Sequence, residues 1–152
     1  MAFSISFLDA RVLTHSTENV EKVLVAFTQV IPSEVLDAVE PVQQRLEGHY
    51  KNPITLIKIR LYNKKQIKAT AQNIFSRLED AQRKTLQSEL DKQVDEDGSL
   101  YLRFNKQEAF MGRIRLGHAD PIRVQMKLAI PRKQREKILD TYREMIPQTG
   151  ER

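Results

Sequence analysis

Between Ile122 and Ile130 the chain reads IRVQMKLAI, and this alternation constrains the fold more than any other stretch. Ile122, Val124, Met126, Leu128 and Ile130 are apolar, with Arg123, Gln125 and Lys127 interleaved. A period of two puts the two sets on opposite sides of an extended strand, so one side is buried and the other is left with charge. Such a strand belongs in a sheet with one covered face. The functional question is what meets the charged side.

Three further stretches alternate in the same way. ITLIKIRLY (Ile54 to Tyr62) sends Ile57, Ile59 and Leu61 inward and Lys58, Arg60 and Tyr62 outward. LYLRF (Leu100 to Phe104) sends Tyr101 and Arg103 outward. AFMGRIRL (Ala109 to Leu116) reads as a strand with Phe110, Ile114 and Leu116 inward and Arg113 and Arg115 outward. Phe3 to Leu13 is also a strand, but Phe3, Ile5 and Phe7 share one parity while Leu8, Ala10 and Val12 share the other, which predicts a bulge near Phe7. VQQRLE (Val42 to Glu47) reads as an edge strand.

Helical periodicity fills the intervals. Val20, Val23, Leu24, Phe27 and Ile31 form one stripe, capped by Ser16 or Thr17 and ended by Pro32. Val35, Leu36 and Val39 make one helical turn, which Pro41 breaks. Asn63 and Gln66 form a capping box for a long helical pattern that breaks near Glu79-Asp80. DEDG (Asp95 to Gly98) and GHADP (Gly117 to Pro121) are turns, and Pro131 opens a closing helix carrying Ile138, Leu139, Tyr142, Met145 and Ile146. The predicted fold is α+β, one domain over residues 1–152, with a mixed or mostly antiparallel sheet, helices on one face, and the order β-α-β-β-α-β-β-β-α.

Charge gives the open face its meaning. The outward set is Lys58, Arg60, Tyr62, Tyr101, Arg103, Arg113, Arg115, Arg123, Gln125 and Lys127, of which seven are basic and none acidic, while Asp9 or Glu47 could join it from the two remaining strands. The whole chain has 25 basic and 20 acidic residues, so this face is far more one-sided than the protein. Like charges on neighbouring strands repel, and a face without a partner would mix signs. Cations with tyrosines among them suit single-stranded RNA, because rings stack on bases while Arg and Lys hold phosphates without reading sequence. A second reading is a protein-interaction module in which the same Arg and Tyr residues dock an acidic protein.

Catalysis has little support. The chain contains no Cys, and its histidines, His15, His49 and His118, fall at loops or strand ends without H-x-x-x-H spacing, so no metal site is predicted. Phosphate-cradling and nucleophile-elbow motifs are absent, and no cofactor is expected. Asp95, Glu96 and Asp97 could gather a divalent ion for a nuclease, but three acids in one turn are more simply a solvated loop. MAFSISFLDAR has no basic leader and reaches Asp9 too early for a signal peptide, and no apolar run approaches the roughly eighteen residues of a membrane helix, so a cytoplasmic protein is expected.

Three stretches, HSTENVEKVL (His15 to Leu24), LEGHYKNPI (Leu46 to Ile54) and DEDGSLYLRFNKQEAFMGRIRL (Asp95 to Leu116), resemble in order and spacing the archaeal RNA-binding family described as predicted exosome subunits. The resemblance spans nearly the whole chain except Val30 to Val42 and the last residues. It implies a fold like that of ribosomal protein L five, RNA binding without catalysis, and exosome- or ribosome-related partners. It also adds the loop residues Gly48, His49, Asn52 and Pro53 and the turn residues Lys106 and Gln107 as candidates for contact with RNA. The family's loop usually reads G-H-H-G-N-P-I, and here Tyr50 and Lys51 replace the second His and the Gly. The family often has Asp where Asn105 stands, so the side chain on which an acid or metal role would rest is missing.

Overall fold

The structure, a computed structural model, describes residues 5–48 and 52–147. The described residues form one antiparallel sheet of five strands, in the order β2-β3-β1-β5-β4. The strands are β1 (Ile5–His15), β2 (Val42–Glu47), β3 (Pro53–Leu61), β4 (Ser99–Phe104) and β5 (Ile122–Leu128). β1 lies at the centre, paired with β3 on one side and β5 on the other. Its neighbours are therefore strands far away in the chain.

The alternation determines which way each strand faces. Leu8, Ala10 and Val12 of β1, Ile57, Ile59 and Leu61 of β3, Leu100, Leu102 and Phe104 of β4, and Ile122, Val124, Met126 and Leu128 of β5 are all buried. They meet the apolar sides of α1 (Val20–Val30), α3 (Lys64–Arg77) and α7 (Arg135–Met145), which supply Phe27, Ile74, Phe75, Ile138 and Tyr142 to the same core. The predicted bulge is present: register shifts between Ile5, opposite Leu128, and Phe7, opposite Lys127. That extra residue lets both Ile5 and Leu8 point inward despite their opposite parity. β2 is the predicted edge strand, and all six of its residues are exposed.

Several local expectations hold. α2 (Ser33–Ala38) is the short turn after Pro32, and Asn63 Oδ1 accepts from the Gln66 backbone N–H at 3.1 Å to start α3. The helical pattern breaks as predicted, giving α4 (Asp80–Ser88) and then α5 (Leu90–Gln93). Gly98, at φ +86, closes the Asp95 turn, where a side chain would be strained.

Three expectations are corrected. AFMGRIRL is not a strand: Asn105 Oδ1 accepts from Glu108 N–H at 2.9 Å and caps a short helix, α6 (Lys106–Phe110). α6 packs against α1 and buries Ala109, and Gly112, at φ +88, turns the chain out of it. Residues 113–117 then run beside β4 with a single bridge, Phe104 to Leu116. Capping and helix–helix packing thus override a short alternating pattern, and the sheet has five strands where six were expected. In α1 the cap is Asn19, which accepts from Glu21 and Lys22 N–H, because Ser16 and Thr17 lie in the preceding turn. Pro131 opens a turn closed by Gln134 N–H, and the helix proper starts at Arg135.

Tyr142 joins α7 to the sheet. It is fully buried, and its hydroxyl lies 2.9 Å from the Gly98 carbonyl and 3.0 Å from that of Met126. Burial pushes this phenol well above its ordinary value near 10. Tyr142→Phe should cost about 1–2 kcal/mol, because the one hydroxyl hydrogen shared between the Gly98 and Met126 carbonyls is lost with little other change. The folded-state pKa is raised, so the phenol's contribution is complete below pH of about 10 and is lost as pH rises through the folded value. Urea unfolding at neutral pH and near pH 11 should show the gap between wild type and variant narrowing at the higher pH.

Candidate nucleic-acid interface

Cross-strand partners in an antiparallel sheet point to the same side. The strand order therefore turns outward side chains from distant segments into rows. One row crosses four strands as Lys58, Arg11, Arg123 and Arg103, each in direct register with the next. Beside it lies a row of Arg60, Asp9, Gln125 and Tyr101, and beyond that Phe7, Lys127 and Ser99, with Tyr62 following β3. Toward the other end, Leu13, Leu56, Ile54 and Leu46 join the face, with Gln44 and His15 beside them.

Six cations and one carboxylate occupy this side of the described strands. Of the two acids that could share this face, Asp9 does: it sits at the centre and is 3% exposed, whereas Glu47 has the opposite parity on β2. Arg11 Nε donates to Asp9 Oδ1 at 2.9 Å, and Arg60 Nε donates to Oδ2 at 3.0 Å. The Arg60 guanidinium also lies 4.3 Å from the centre of the Phe7 ring. On β5, Arg123 approaches the Tyr101 ring at 5.5 Å, and its buried Nε has no hydrogen-bond partner. Burial pushes the Tyr101 hydroxyl above its ordinary value, and the nearby Asp95 carboxylate adds to that shift. Tyr101 therefore remains a neutral ring at physiological pH. Tyr62, 67% exposed, presents a second ring to solvent.

Phe7 and Arg11 were missed by sequence reading because the phase slip hid which side of β1 faced out. The signal was present: beyond the bulge, inward Leu8, Ala10 and Val12 require outward Asp9 and Arg11.

The structure brings Lys58, Arg60, Tyr62, Tyr101, Arg103, Arg123, Gln125 and Lys127 onto one side, and besides Arg60 it ties Gln125 and Lys127 locally. Gln125 Nε2 donates to Ser99 Oγ at 3.2 Å, and Lys127 Nζ donates to the Asp97 carbonyl. Arg113 and Arg115 are not part of this face, because the loop after α6 takes the place of their expected strand. Arg113 forms a two-pronged pair with Glu108, at 3.1 and 3.0 Å, and Arg115 lies 3.8 Å from Glu79. The hydrogen bond from Arg113 holds the Glu108 carboxyl below its ordinary value and raises the guanidinium in turn. Gln107 is exposed on α6, away from the rows. Asn52 is exposed at the β2–β3 turn, its carbonyl accepting from Gly48 N–H at 2.7 Å, and His49 lies outside the described residues.

Lys106 is corrected outright. It is 7% exposed, and its ammonium donates to the Leu13 carbonyl at 2.7 Å, to both Glu18 oxygens at 3.0 and 3.1 Å, and to Asp120 Oδ2 at 2.7 Å. A side chain so committed has no donor left for RNA. His15 Nε2 completes the cluster at 3.0 Å from Asp120 Oδ1. Burial alone would raise the Asp120 carboxyl, but the hydrogen bonds from Lys106 and His15 outweigh it and hold the group below its ordinary value. Donor atoms of His15, Glu18 and Asp120 lie within 4.8 Å of one another, a spacing that suits a cation, and the Lys106 ammonium already bonds the two carboxylates. Lys106→Met should destabilise the protein by roughly 1–2 kcal/mol in urea, because half-buried Glu18 and exposed Asp120 lose their counter-charge, the second screened by solvent. RNA affinity measured well below the unfolding transition should stay unchanged.

Comparison with known proteins gives this face its context. A family model described as RNA binding matches residues 8–128, a span that runs from β1 to the end of β5. An RNA-binding protein of Pyrococcus abyssi is 30% identical over 138 residues, covering 90% of each chain. An uncharacterized protein of Methanocaldococcus jannaschii is 30% identical over 141 residues, covering 83% of this chain and 87% of the relative. The crystal structure of a DUF54 protein from Archaeoglobus fulgidus superposes with a TM-score of 0.81 at 31% identity, covering 93% of this chain and 99% of that one. A second DUF54 protein, from Methanothermobacter thermautotrophicus, superposes with a TM-score of 0.76 at 26% identity, covering 94% and 98%. With its strands, its core and most of its length inside the matched span, the chain belongs to this RNA-binding family.

Proposed function

We propose that the open sheet face is the RNA-binding surface, and that it holds single-stranded RNA without cleaving it. The observation that carries this reading is the row Lys58, Arg11, Arg123 and Arg103, four cations abreast in direct register. Strands lie about 4.8 Å apart, so the row extends about 14 Å across the sheet, enough to meet several phosphates of an extended strand. Like charges placed opposite one another destabilise a sheet, and a polyanion laid across the row offsets that repulsion. Phe7, Tyr62 and Tyr101 supply rings beside the cations, the combination that suits unpaired bases.

Binding without cleavage draws support from how the acids are used. Asp95 Oδ1 accepts from the backbone N–H groups of Asp97 and Ser99 at 2.9 and 3.0 Å, which makes it a brace for its turn. The second acidic cluster already bonds the ammonium of Lys106. An accessory role in RNA processing or degradation, in association with the exosome, is supported by the family resemblance of the three sequence stretches. Among the described residues no helix is long and apolar enough to cross a membrane.

The test compares two double variants on labelled single-stranded RNA. Lys58→Gln with Arg123→Gln should lower the salt slope of log K by about 1.4, about 0.7 per lost phosphate contact. Lys133→Gln with Lys137→Gln, exposed and outside the strands, removes equal charge and should leave the slope nearly unchanged. Equal effects would mean that net charge alone drives binding, and failure of wild type to retain RNA would favour the acidic-protein reading. Shortening of the RNA in magnesium would contradict binding without cleavage. Because Arg and Lys hold phosphates without reading bases, unrelated RNAs of equal length should compete within about one order of magnitude.

A further inference from the structure

A buried carboxylate at the centre of a cationic face is an odd component for a surface that must attract phosphate. Simple charge counting makes Asp9 a liability, yet its geometry points the other way. Its two oxygens are shared between two arginines, Oδ1 with Arg11 Nε at 2.9 Å and Oδ2 with Arg60 Nε at 3.0 Å. Each arginine binds the carboxylate through Nε; the terminal amino groups of Arg11 have no hydrogen-bond partner among the described residues, and the Arg60 guanidinium is also reached by the Tyr62 side chain, the foremost cause of its raised pKa. The Arg60 plane is steadied further by the Phe7 ring at 4.3 Å. Asp9 is 3% exposed, whereas the Arg11 and Arg60 side chains are 38% and 39% exposed. The anion therefore lies at the base of the site, and the donor-bearing ends of both guanidinium groups reach solvent.

We infer that Asp9, Arg11 and Arg60 form a splinted anion site, in which the buried carboxylate aims two guanidinium groups at one phosphodiester of the RNA backbone. The inference rests on the RNA reading above and deepens it by naming a contact and a positioning residue. The physical reason is entropic and geometric. A free arginine on a sheet surface samples many rotamers, and fixing it on binding costs affinity. Two arginines already held by Nε offer a planar set of terminal donors, matched to phosphate oxygens, before RNA arrives. Net charge at the site remains positive, with two cations around one anion. Lysine can supply the same charge without the fork.

The experiment measures binding of a labelled oligouridine, which contains no guanine edge for arginine to read, to full-length wild type and two variants. Asp9→Asn removes a negative charge from the face and leaves an amide of the same shape. Splinting predicts about tenfold weaker binding, the reverse of what charge alone would give. Arg11→Lys with Arg60→Lys keeps the charge and removes both forks, and should also weaken binding about tenfold. Tighter binding by Asp9→Asn, or unchanged binding by the double lysine variant, overturns the inference. If Asp9→Asn lowers the melting temperature enough to confuse its affinity, the double lysine variant, altered only at partly exposed side chains, decides alone. Failure of wild type to bind oligouridine overturns the RNA reading itself. Binding by wild type with no loss in the double lysine variant overturns only the splint.

Discussion

The antiparallel register of β1 with both β3 and β5 is the constraint on which the rest of the molecule depends. This central strand gives the core Leu8, Ala10 and Val12 on one side and gives the open face Phe7, Asp9 and Arg11 on the other. A slip of one residue against either neighbour would send Leu8 outward and Asp9 into the helices, exchanging a core residue for a charge. The bulge after Ile5 allows the strand to satisfy this demand along its length, since Ile5 and Leu8 both end up buried. Helix packing, sheet order and the cation row all follow from that one pairing.

On the open side, the register has an electrostatic consequence that no single strand shows. Lys58, Arg11, Arg123 and Arg103 come from segments spread between residues 11 and 123, and each is a modest feature alone. Pairing sets them side by side, where their repulsion destabilises the unbound sheet. Asp9 relieves part of this strain by engaging Arg11 and Arg60 from below, leaving the outer ends of both side chains in solvent. The aromatic rings of Phe7 and Tyr101 take up the remaining cation contacts on this face.

The end of the sheet near Lys106 uses charge differently. There an ammonium, two carboxylates and an imidazole tie the end of β1, the start of α6 and the turn before β5 into one network. Because Lys106 is nearly buried and fully engaged, its charge contributes to holding these elements together and not to the open surface. Asp120, at φ +46, pays a conformational cost for a place in this network. The same residue type thus has opposite roles 48 positions apart, Lys58 half-exposed on the face and Lys106 enclosed at its edge.

Side-chain parity was legible in the sequence because it is a local property of an extended backbone. The outward placement of Lys58, Arg60, Tyr101, Arg103, Arg123, Gln125 and Lys127, the inward apolar sets, the bulge and the helix break at Glu79-Asp80 all required only neighbouring residues. The same local reasoning failed for AFMGRIRL, where an Asn cap and packing of α6 on α1 outweighed a brief alternation, and so it misplaced Arg113 and Arg115. Only the tertiary structure decided that β1 lies between β3 and β5, that Asp9 lies between Arg11 and Arg60, and that Lys106 turns inward to Glu18 and Asp120. Strand order and ion-pair partners join residues as many as 123 positions apart, as where Ile5 stands opposite Leu128, and they depend on how the whole core closes rather than on any local period.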